Sequence, residues 1–260
     1  MQRLRRSVVE RLPGLAVIAL ALLVIELATR QGWVNASLLP PPSRILEVLA
    51  AVISGGEFVR PLGATLRHLG VGFAIGSCAG IIVGVGMGYW RPLYGLLEPL
   101  VEMLRPLPKP ALVPALILFL GVDDAMKNVS VALAVFFPVL LNAMQGTRNV
   151  DPTLVDTART FGYRDLQIVR KIVLPAVVPY ILAGMRIALG LGLILAVLSE
   201  MMAGNDGLGF LIVDMQRAFK VRQMYAWLVI LAVLGFVLNE IMVQAERAML
   251  KWRPTNDLLS

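Results

Sequence analysis

The stretch Leu69–Tyr89 reads LGVGFAIGSCAGIIVGVGMGY and contains no charged residue. A helix needs about 20 mostly apolar residues to cross roughly 30 Å of hydrocarbon, so this stretch predicts a membrane span. Lipid tails are as apolar as leucine, so helices in a membrane associate by close packing, which small residues permit. A glycine occupies every fourth position, at Gly72, Gly76, Gly80, Gly84 and Gly88. We interpret this glycine ridge as a packing surface, either for a neighbouring span of the same chain or for another subunit.

Composition extends the membrane assignment to the whole chain. Of 260 residues, 58% are hydrophobic and 16% are charged, whereas soluble domains carry roughly 25% charged residues. The single cysteine excludes an internal disulfide, and the single histidine, His68, argues against a histidine-based metal site. The predicted fold is an all-α polytopic membrane protein with six transmembrane helices. These lie at about Pro13–Thr29, Leu69–Tyr89, Leu96–Leu120, Val129–Gln145, Val177–Leu198 and Ala226–Met249.

Prolines interrupt this pattern in two places. The segment Leu39–Ser43 contains three consecutive prolines, which fix φ and remove hydrogen-bond donors. A short helix is expected after it, at about Ile45–Ile53. The third span contains prolines at positions 106, 108, 110 and 114, so we expect it to be interrupted.

Basic residues indicate how the spans are oriented. Four arginines precede the first span, and cytoplasmic loops of membrane proteins collect Lys and Arg. A cytoplasmic N-terminus and six spans place both the 146–176 segment and the C-terminus in the cytoplasm. We therefore interpret the net charge of +7 as orienting the spans rather than binding nucleic acid.

The polar segment 151–175, between the fourth and fifth spans, suggests an element built to be gripped by another protein. Asp151 is a good N-cap acceptor, and Pro152 suits the first helical position. This helix is expected to end at Gly162, where a left-handed cap belongs. Its predicted apolar stripe comprises Leu154, Val155, Ala158 and Phe161.

A second, basic helix is predicted from Arg164 to Val173, with Pro175 ending it. Its apolar residues are Leu166, Val169, Ile172 and Val173. The alternative for the first short helix of this segment is an amphipathic helix that lies on lipid headgroups.

These residues resemble a known family. Asp156-Thr-Ala-Arg-Thr-Phe-Gly162, followed by Ile172-x-Leu174-Pro175, is similar to the EAA-loop signature of the membrane subunits of type I ABC importers. That signature is Glu-Ala-Ala, three residues, Gly, and a downstream Leu-Pro. Ala158 and Gly162 match it, whereas Asp156 replaces the usual Glu and Thr157 replaces the first Ala.

Three further segments resemble the sulfonate, nitrate and taurine branch of these permeases. They are Leu39-Pro-Pro-Pro-Ser43, Arg105-Pro-x-Pro108, and Ser199-Glu-Met-Met-Ala-Gly204 with Gly207-Leu-Gly209. The resemblance implies a type I ABC importer permease core at 61–246. Residues 1–60 would hold the cytoplasmic N-terminus, the first span and an external proline-rich segment, and 247–260 a cytoplasmic tail.

The resemblance also implies partners and a mechanism. The chain would form a homodimer in the bilayer of a bacterial inner membrane, with two cytoplasmic ATPase subunits and an external solute-binding protein. It would move a small organic anion, such as a sulfonate, taurine or a nitrate-like solute, by alternating access. We call 151–175 the coupling loop, because it would contact the ATPase. Its expected coupling residues are Asp156, Thr157, Ala158, Phe161, Gly162 and Pro175.

Catalytic chemistry is not expected of this chain. The sequence has no Gly-x4-Gly-Lys-Ser/Thr phosphate loop, so ATP with Mg²⁺ would be bound by the separate ATPase. No cofactor, metal site or catalytic residue is predicted here. His68 is interpreted as a structural residue without a catalytic partner.

Ionisable residues inside a membrane are costly and are functional candidates. Arg186 lies in the fifth span, where it would line the translocation path or pair internally with Glu98 or Glu102. Glu200 is a second candidate for the path. It lies near the outer end of its span, as does Glu26, and both are expected to reach water.

Other functions remain open as alternatives. Within the importers, a permease for amino acids or another small metabolite is the nearest one. An ion-coupled secondary transporter would need several buried carboxylates and inverted repeats, and a membrane-embedded enzyme would need a polar catalytic cluster; the sequence shows neither.

Overall fold

The computed structural model describes residues 2–250, with side chains at 13, 14 and 16–250. The regular elements in this part are all helical. They are α1 (Gln2–Arg30), α2 (Pro42–Ser54), α3 (Val59–Tyr89), α4 (Arg91–Leu104), a 3₁₀ helix (Lys109–Leu112), α5 (Val113–Leu120), α6 (Asp124–Arg148), α7 (Pro152–Thr160), α8 (Asp165–Ile168), a π-helix (Val169–Val173), α9 (Leu174–Ala203), α10 (Leu208–Arg217) and α11 (Val221–Met249). The described residues form two compact units, 2–59 with 211–230 and 60–210 with 231–250.

In the first unit, Glu26 ties the end of α1 to the start of α2. Its carboxylate accepts hydrogen bonds from the Ser43 backbone N–H at 3.0 Å and from the Ser43 hydroxyl at 2.8 Å. The first N–H groups of a helix have no partner within the helix and favour negative charge, so Glu26 stabilises the start of α2. The predicted short helix after the proline run is confirmed as α2.

In the second unit, the glycine ridge of α3 lies directly against α6. A Cβ atom built on Gly76 would lie 2.5 Å from the Ala132 carbonyl oxygen, and one on Gly84 would lie 2.4 Å from that of Leu140. Gly72, Gly80 and Gly88 approach α6 as closely. Side chains have no room at these positions, so the ridge packs a neighbouring span of the same chain.

The other side of α6 packs against α9, again through glycines. A Cβ on Gly146 would lie 2.6 Å from that of Tyr180, and one on Gly184 would lie 2.8 Å from that of Asn142. Van der Waals packing of small residues is the main force between helices in lipid. Helices α3, α6 and α9 therefore form a closely packed frame.

Among the described residues, four helices are long and apolar enough to cross a membrane: Val59–Tyr89, Asp124–Arg148, Asp165–Ala203 and Val221–Met249. The pair Arg91–Leu104 and Lys109–Leu120 makes a fifth if this broken helix, bent by 88°, is one span. The break falls at the predicted prolines. Helix α1 covers the first predicted span, but most side chains of its first half lie outside the described residues, and the count of six stays a prediction.

The predicted end of the basic helix at Pro175 is wrong. Helix α8, the π-helix and α9 form one continuous helix from Asp165 to Ala203. The Leu174 N–H bonds to the Val169 carbonyl, five residues back. Proline lacks an N–H and its ring clashes with the carbonyl four residues earlier. The wider π turn before Pro175 accommodates both effects, so the helix continues.

Candidate functional sites

The first site is the coupling loop, whose short helix α7 is defined by local contacts. The Asp151 carboxylate accepts a hydrogen bond from the Thr153 N–H at 2.8 Å, and Pro152 occupies the first turn. This bond favours the charged carboxylate and lowers the pKa of Asp151 below its ordinary value. The predicted N-terminal cap is therefore present.

The C-terminal end of α7 is a Schellman motif. The Gly162 N–H bonds to the Arg159 carbonyl at 2.9 Å, and the Tyr163 N–H bonds to that of Ala158 at 3.0 Å. Gly162 has φ +80°, a backbone conformation that costs glycine little and strains most other residues. The sequence-predicted glycine cap is thus in place.

The four residues of the predicted apolar stripe of α7 do not form a single surface, so this prediction is wrong. Ala158 is 6% exposed and packs with the half-buried Val155 in an apolar cluster of this chain, whereas Leu154 and Phe161 are 53% and 79% exposed. Four apolar residues in about two turns can face two directions, and here one pair points inward and the other outward. Of the other expected coupling residues, Asp156, Thr157 and Pro175 are exposed.

The coupling loop is fastened to the frame at one point by polar contacts. The Tyr89 hydroxyl, at the end of α3, donates to an Asp165 carboxylate oxygen at 2.8 Å. Arg159 of α7 lies 3.5 Å from the same carboxylate. Contact with Tyr89 raises the pKa of Arg159 above its ordinary value. Beneath these groups, Ile168 and Val173 are buried with Val85 of α3.

The second site is an ionic cluster near the start of α3, with a buried core at Thr65, His68, Lys127 and Glu200. It is formed by Thr65, Arg67, His68, Asp124, Lys127, Glu200 and Asp206. Glu200 is fully buried, so its predicted contact with water is wrong. Its carboxylate accepts bonds from the Thr65 hydroxyl at 2.9 Å and the Gly209 N–H at 3.0 Å. A buried charge is tolerated when such bonds satisfy it.

His68 lies between two carboxylates, so the expectation that it has no candidate partner is wrong, while its structural role stays a prediction. Its Nδ1 is 2.8 Å from Glu200, and its Nε2 is 3.0 Å from Asp124. A neutral imidazole has a single N–H. Both contacts are hydrogen bonds only when the ring carries two protons, or when one carboxyl is itself protonated.

Lys127 completes the cluster. Its Nζ is 3.0 Å from Asp206 and 3.6 Å from Asp124, although the side chain is only 3% exposed. The buried Lys127 ammonium therefore offsets negative charge on the Asp206 and Asp124 carboxylates. Residues 65–68, 124–127 and 200–209 are far apart in sequence, so no local pattern reveals the cluster. The usable signal is the concentration of ionisable residues at helix ends in an apolar chain.

Arg186 does not pair with either predicted glutamate. Its guanidinium forms an ion pair with Glu246 of α11, while Glu102 pairs with Arg105 and Glu98 accepts a bond from Tyr94. The prediction failed because Glu246 approaches through tertiary packing of α9 against α11. An arginine already neutralised in this way has less charge to offer a solute.

A packed helical frame, a broken span and an exposed helix between spans together define a membrane transport subunit. Residues 76–251 match the family described as binding-protein-dependent transport system inner membrane component. The chain belongs to this family. It is the permease subunit of an ATP-driven ABC importer and resides in the inner membrane.

Individual relatives cover most of the chain. It is 32% identical over 240 residues to the putative aliphatic sulfonates transport permease protein SsuC of Bacillus subtilis (strain 168), covering 92% of this chain and 87% of the relative. It is 28% identical over 219 residues to the taurine transport system permease protein TauC of Escherichia coli (strain K12), covering 82% and 80%. The inward-facing MetNI methionine ABC transporter aligns with a TM-score of 0.61 at 23% identity, covering 74% of this chain and 95% of that chain. That likeness shows the fold.

Proposed function

We propose that this permease imports small organic anions of the sulfonate class. The support comes from its relatives, which include an aliphatic sulfonates permease and a taurine permease. A sulfonate keeps its negative charge at every physiological pH, so a route for it through lipid requires protein cations or water. The net charge of +7 is compatible with such a solute.

The working assembly in this proposal is a homodimer of the permease with two cytoplasmic ATPases and an external solute-binding protein. Both termini of the permease and its coupling loop lie in the cytoplasm. The ATPases bind ATP with Mg²⁺, and this chain carries no cofactor. The positive-inside rule supports this orientation, because five basic residues lie between positions 148 and 171.

One observation carries the coupling mechanism. The capped helix α7 packs one pair of apolar side chains against the frame and leaves another pair exposed. Leu154 on α7 and Phe161 at its C-terminal end are exposed, and Leu166 of α8 is 73% exposed. A few residues, often aromatic, carry most of the energy of a protein interface. We assign these three residues to the ATPase contact.

Movement of the ATPase then has a direct route to the membrane part. The continuous helix from Asp165 to Ala203 begins beside α7, and the Tyr89–Asp165 hydrogen bond ties it to α3. A push on α7 is thereby transmitted to α9 and α3. In the dimer, closure of two ATPases draws the two coupling loops together and alternates access to the path.

The test of this function is reconstitution. The tagged permease is purified from its native membrane with the ATPase that accompanies it and placed in liposomes with the binding protein. Uptake of radiolabelled taurine and pentane-1-sulfonate is measured with and without ATP, using methionine for comparison. We expect ATP-dependent uptake of the sulfonates. Preference for methionine would reject the substrate class, and purification without a nucleotide hydrolase would reject the assembly.

The ATPase contact has a matched pair of variants. Phe161→Ala removes an anchor that is 79% exposed on α7, and Phe119→Ala removes one that is 86% exposed on α5. We expect Phe161→Ala to lower the amount of ATPase that copurifies by about tenfold, within the range for interface hot spots. Phe119→Ala should leave it unchanged. Equal retention in both variants would contradict the assigned contact.

A further inference from the structure

A cavity of about 360 Å³ lies at the break between α4 and the 3₁₀ helix. Its walls come from this break, from α6 and from α9, and include Phe137, Leu141, Leu191 and Ile194. Small-molecule sites are typically concave and apolar, with volumes of about 300–1,000 Å³ and a few polar groups. This cavity therefore has the size and lining of a site for a small ligand.

The cavity lies at the depth of the middle of a span. Phe137 is near the centre of the 25-residue helix α6, about 20 Å from its start and about 17 Å from its end. Irregular backbone at membrane depth is tolerated where it is buried in protein or lines a water-filled cavity. The break at residues 105–108 meets that condition, since Arg105 and Leu107 form part of the wall.

One cation at this cavity has no acidic partner. Lys109 donates to the backbone carbonyls of Leu104, Arg105 and Leu107 at 2.7, 3.2 and 3.1 Å. Its Nζ also lies 4.2 Å above the centre of the Phe137 ring. Within residues 13–250 it makes no ion pair, in contrast to Arg186, which pairs with Glu246. Neutral oxygens take up its three N–H groups and hold the ammonium in place, so its charge is balanced by no carboxylate, and an anion would replace one of these carbonyls.

We infer that this cavity binds the transported anion, with Lys109 attracting the sulfonate group and the walls formed by α6 and α9 receiving the alkyl part. This inference rests on the proposed function and adds the site at which the permease itself selects its solute. The charge selects for an anion, because opposite charges attract. The apolar walls select for a hydrocarbon tail. Arg105, already paired with Glu102 at 3.3 Å, is the second cation at the wall.

The experiment measures direct binding to the complete permease–ATPase complex in nanodiscs, without the binding protein. The probes are radiolabelled pentane-1-sulfonate and pentan-1-ol, which share a tail and differ in charge. Lys109→Gln removes the charge, and Lys109→Arg retains it. We expect Lys109→Gln to weaken sulfonate binding by about tenfold, as loss of one charge-assisted contact does, and to leave pentanol binding unchanged. Lys109→Arg should keep most of the sulfonate affinity.

Two controls separate a binding role from a structural one. Arg44→Gln removes an exposed cation that pairs with Glu47 on α2 and should leave both probes unaffected. Leu191→Trp narrows the cavity by adding bulk to a wall residue. We expect it to weaken binding of pentane-1-sulfonate and to spare methanesulfonate, which has only one carbon.

Several outcomes would overturn the inference. Unchanged sulfonate binding in Lys109→Gln would show that Lys109 is not part of the binding site. Equal weakening of both probes, or loss of the permease dimer, would show that Lys109 only stabilises the break or that a second copy covers the cavity. The proposed function is judged separately by uptake in the wild type. If sulfonates are transported but Lys109→Gln has no effect, only the cavity assignment fails; if the wild type imports no sulfonate, the substrate class fails first.

Discussion

The ionic cluster and the coupling loop lie at the two ends of α3 and are built in opposite ways. His68 and Tyr89, their respective contacts on α3, are about 31 Å apart along the helix. The cluster joins residues far apart in sequence and excludes water from Glu200. In the coupling loop, neighbouring residues define both ends of α7, Tyr89 ties Asp165 to α3, and Phe161 stays exposed. The comparison teaches that the ionic cluster depends on long-range contacts throughout, whereas the ends of α7 are set by local contacts and only its attachment to the frame is long-range.

This comparison predicts two different kinds of defect. Variants in the frame should reduce the amount of folded permease in the membrane. Variants in the coupling loop should leave the complex assembled while it hydrolyses ATP with little transport. Measuring permease abundance together with uptake per ATP hydrolysed therefore separates the two regions.

The largest effect is expected for Glu200→Ala. Leaving a buried polar group without its hydrogen-bond partner typically costs about 1–3 kcal/mol, and three groups lose theirs here. Thr65, His68 and Gly209 would each lose the acceptor that they now share. We expect little folded permease in the membrane, measured as monodisperse protein after extraction.

Glu200→Gln sharpens this prediction. Its amide oxygen can accept the bonds from Thr65 and Gly209, and its NH₂ can donate to Nδ1 of a neutral His68. The remaining His68 N–H can still donate to Asp124, so every polar group keeps a partner. We expect much of the wild-type abundance to return. Equal loss in Glu200→Gln and Glu200→Ala would show that the hydrogen-bond pattern does not explain the cluster.

The next effect is expected within the glycine ridge. In Gly84→Val, the new Cβ would meet the Leu140 carbonyl oxygen at 2.4 Å, which forces α3 away from α6. Overpacking of this kind costs about 1–3 kcal/mol. Gly70→Val is the matched control, because a Cβ there meets no described atom within 4 Å. Thermal stability should fall for Gly84→Val alone; a similar fall in both would attribute the effect to helix flexibility instead of packing.

Much of the coupling loop could be predicted because its determinants are contiguous. Asp151, Pro152 and Gly162 act on backbone groups within a few residues, so their roles follow from sequence spacing. The glycine ridge was visible for the same reason, since a four-residue period marks one side of a helix. In these cases the local pattern itself determines the structure.

The predictions that failed concern features that depend on more than a local sequence pattern. The partners of His68 and the fully buried environment of Glu200 depend on which helices pack together, and spacing carries no information about that. The helix continues through Pro175 because a π turn accommodates the missing N–H and the ring of the proline. No simple sequence rule distinguishes such a proline from one that ends a helix. Arg186 pairs with Glu246 and not with Glu98 or Glu102 because α9 packs against α11 there, which sequence spacing does not show.

The smallest effect on abundance is expected for Gly162→Val. This variant is also the sharpest test of the coupling loop. Unlike Gly84, Gly162 has open space around its missing side chain, so crowding plays no part. Its φ of +80° is the only obstacle, and such a conformation costs a β-branched residue about 1–3 kcal/mol. The Schellman end of α7 should loosen while the frame stays folded, giving near-normal abundance and ATP hydrolysis with reduced uptake per ATP. Gly162→Asn should retain coupling, because asparagine tolerates the left-handed region. If Gly162→Val imports solute as efficiently as wild type, α7 does not need a fixed end, and the coupling loop transmits movement by some route other than a rigid helix.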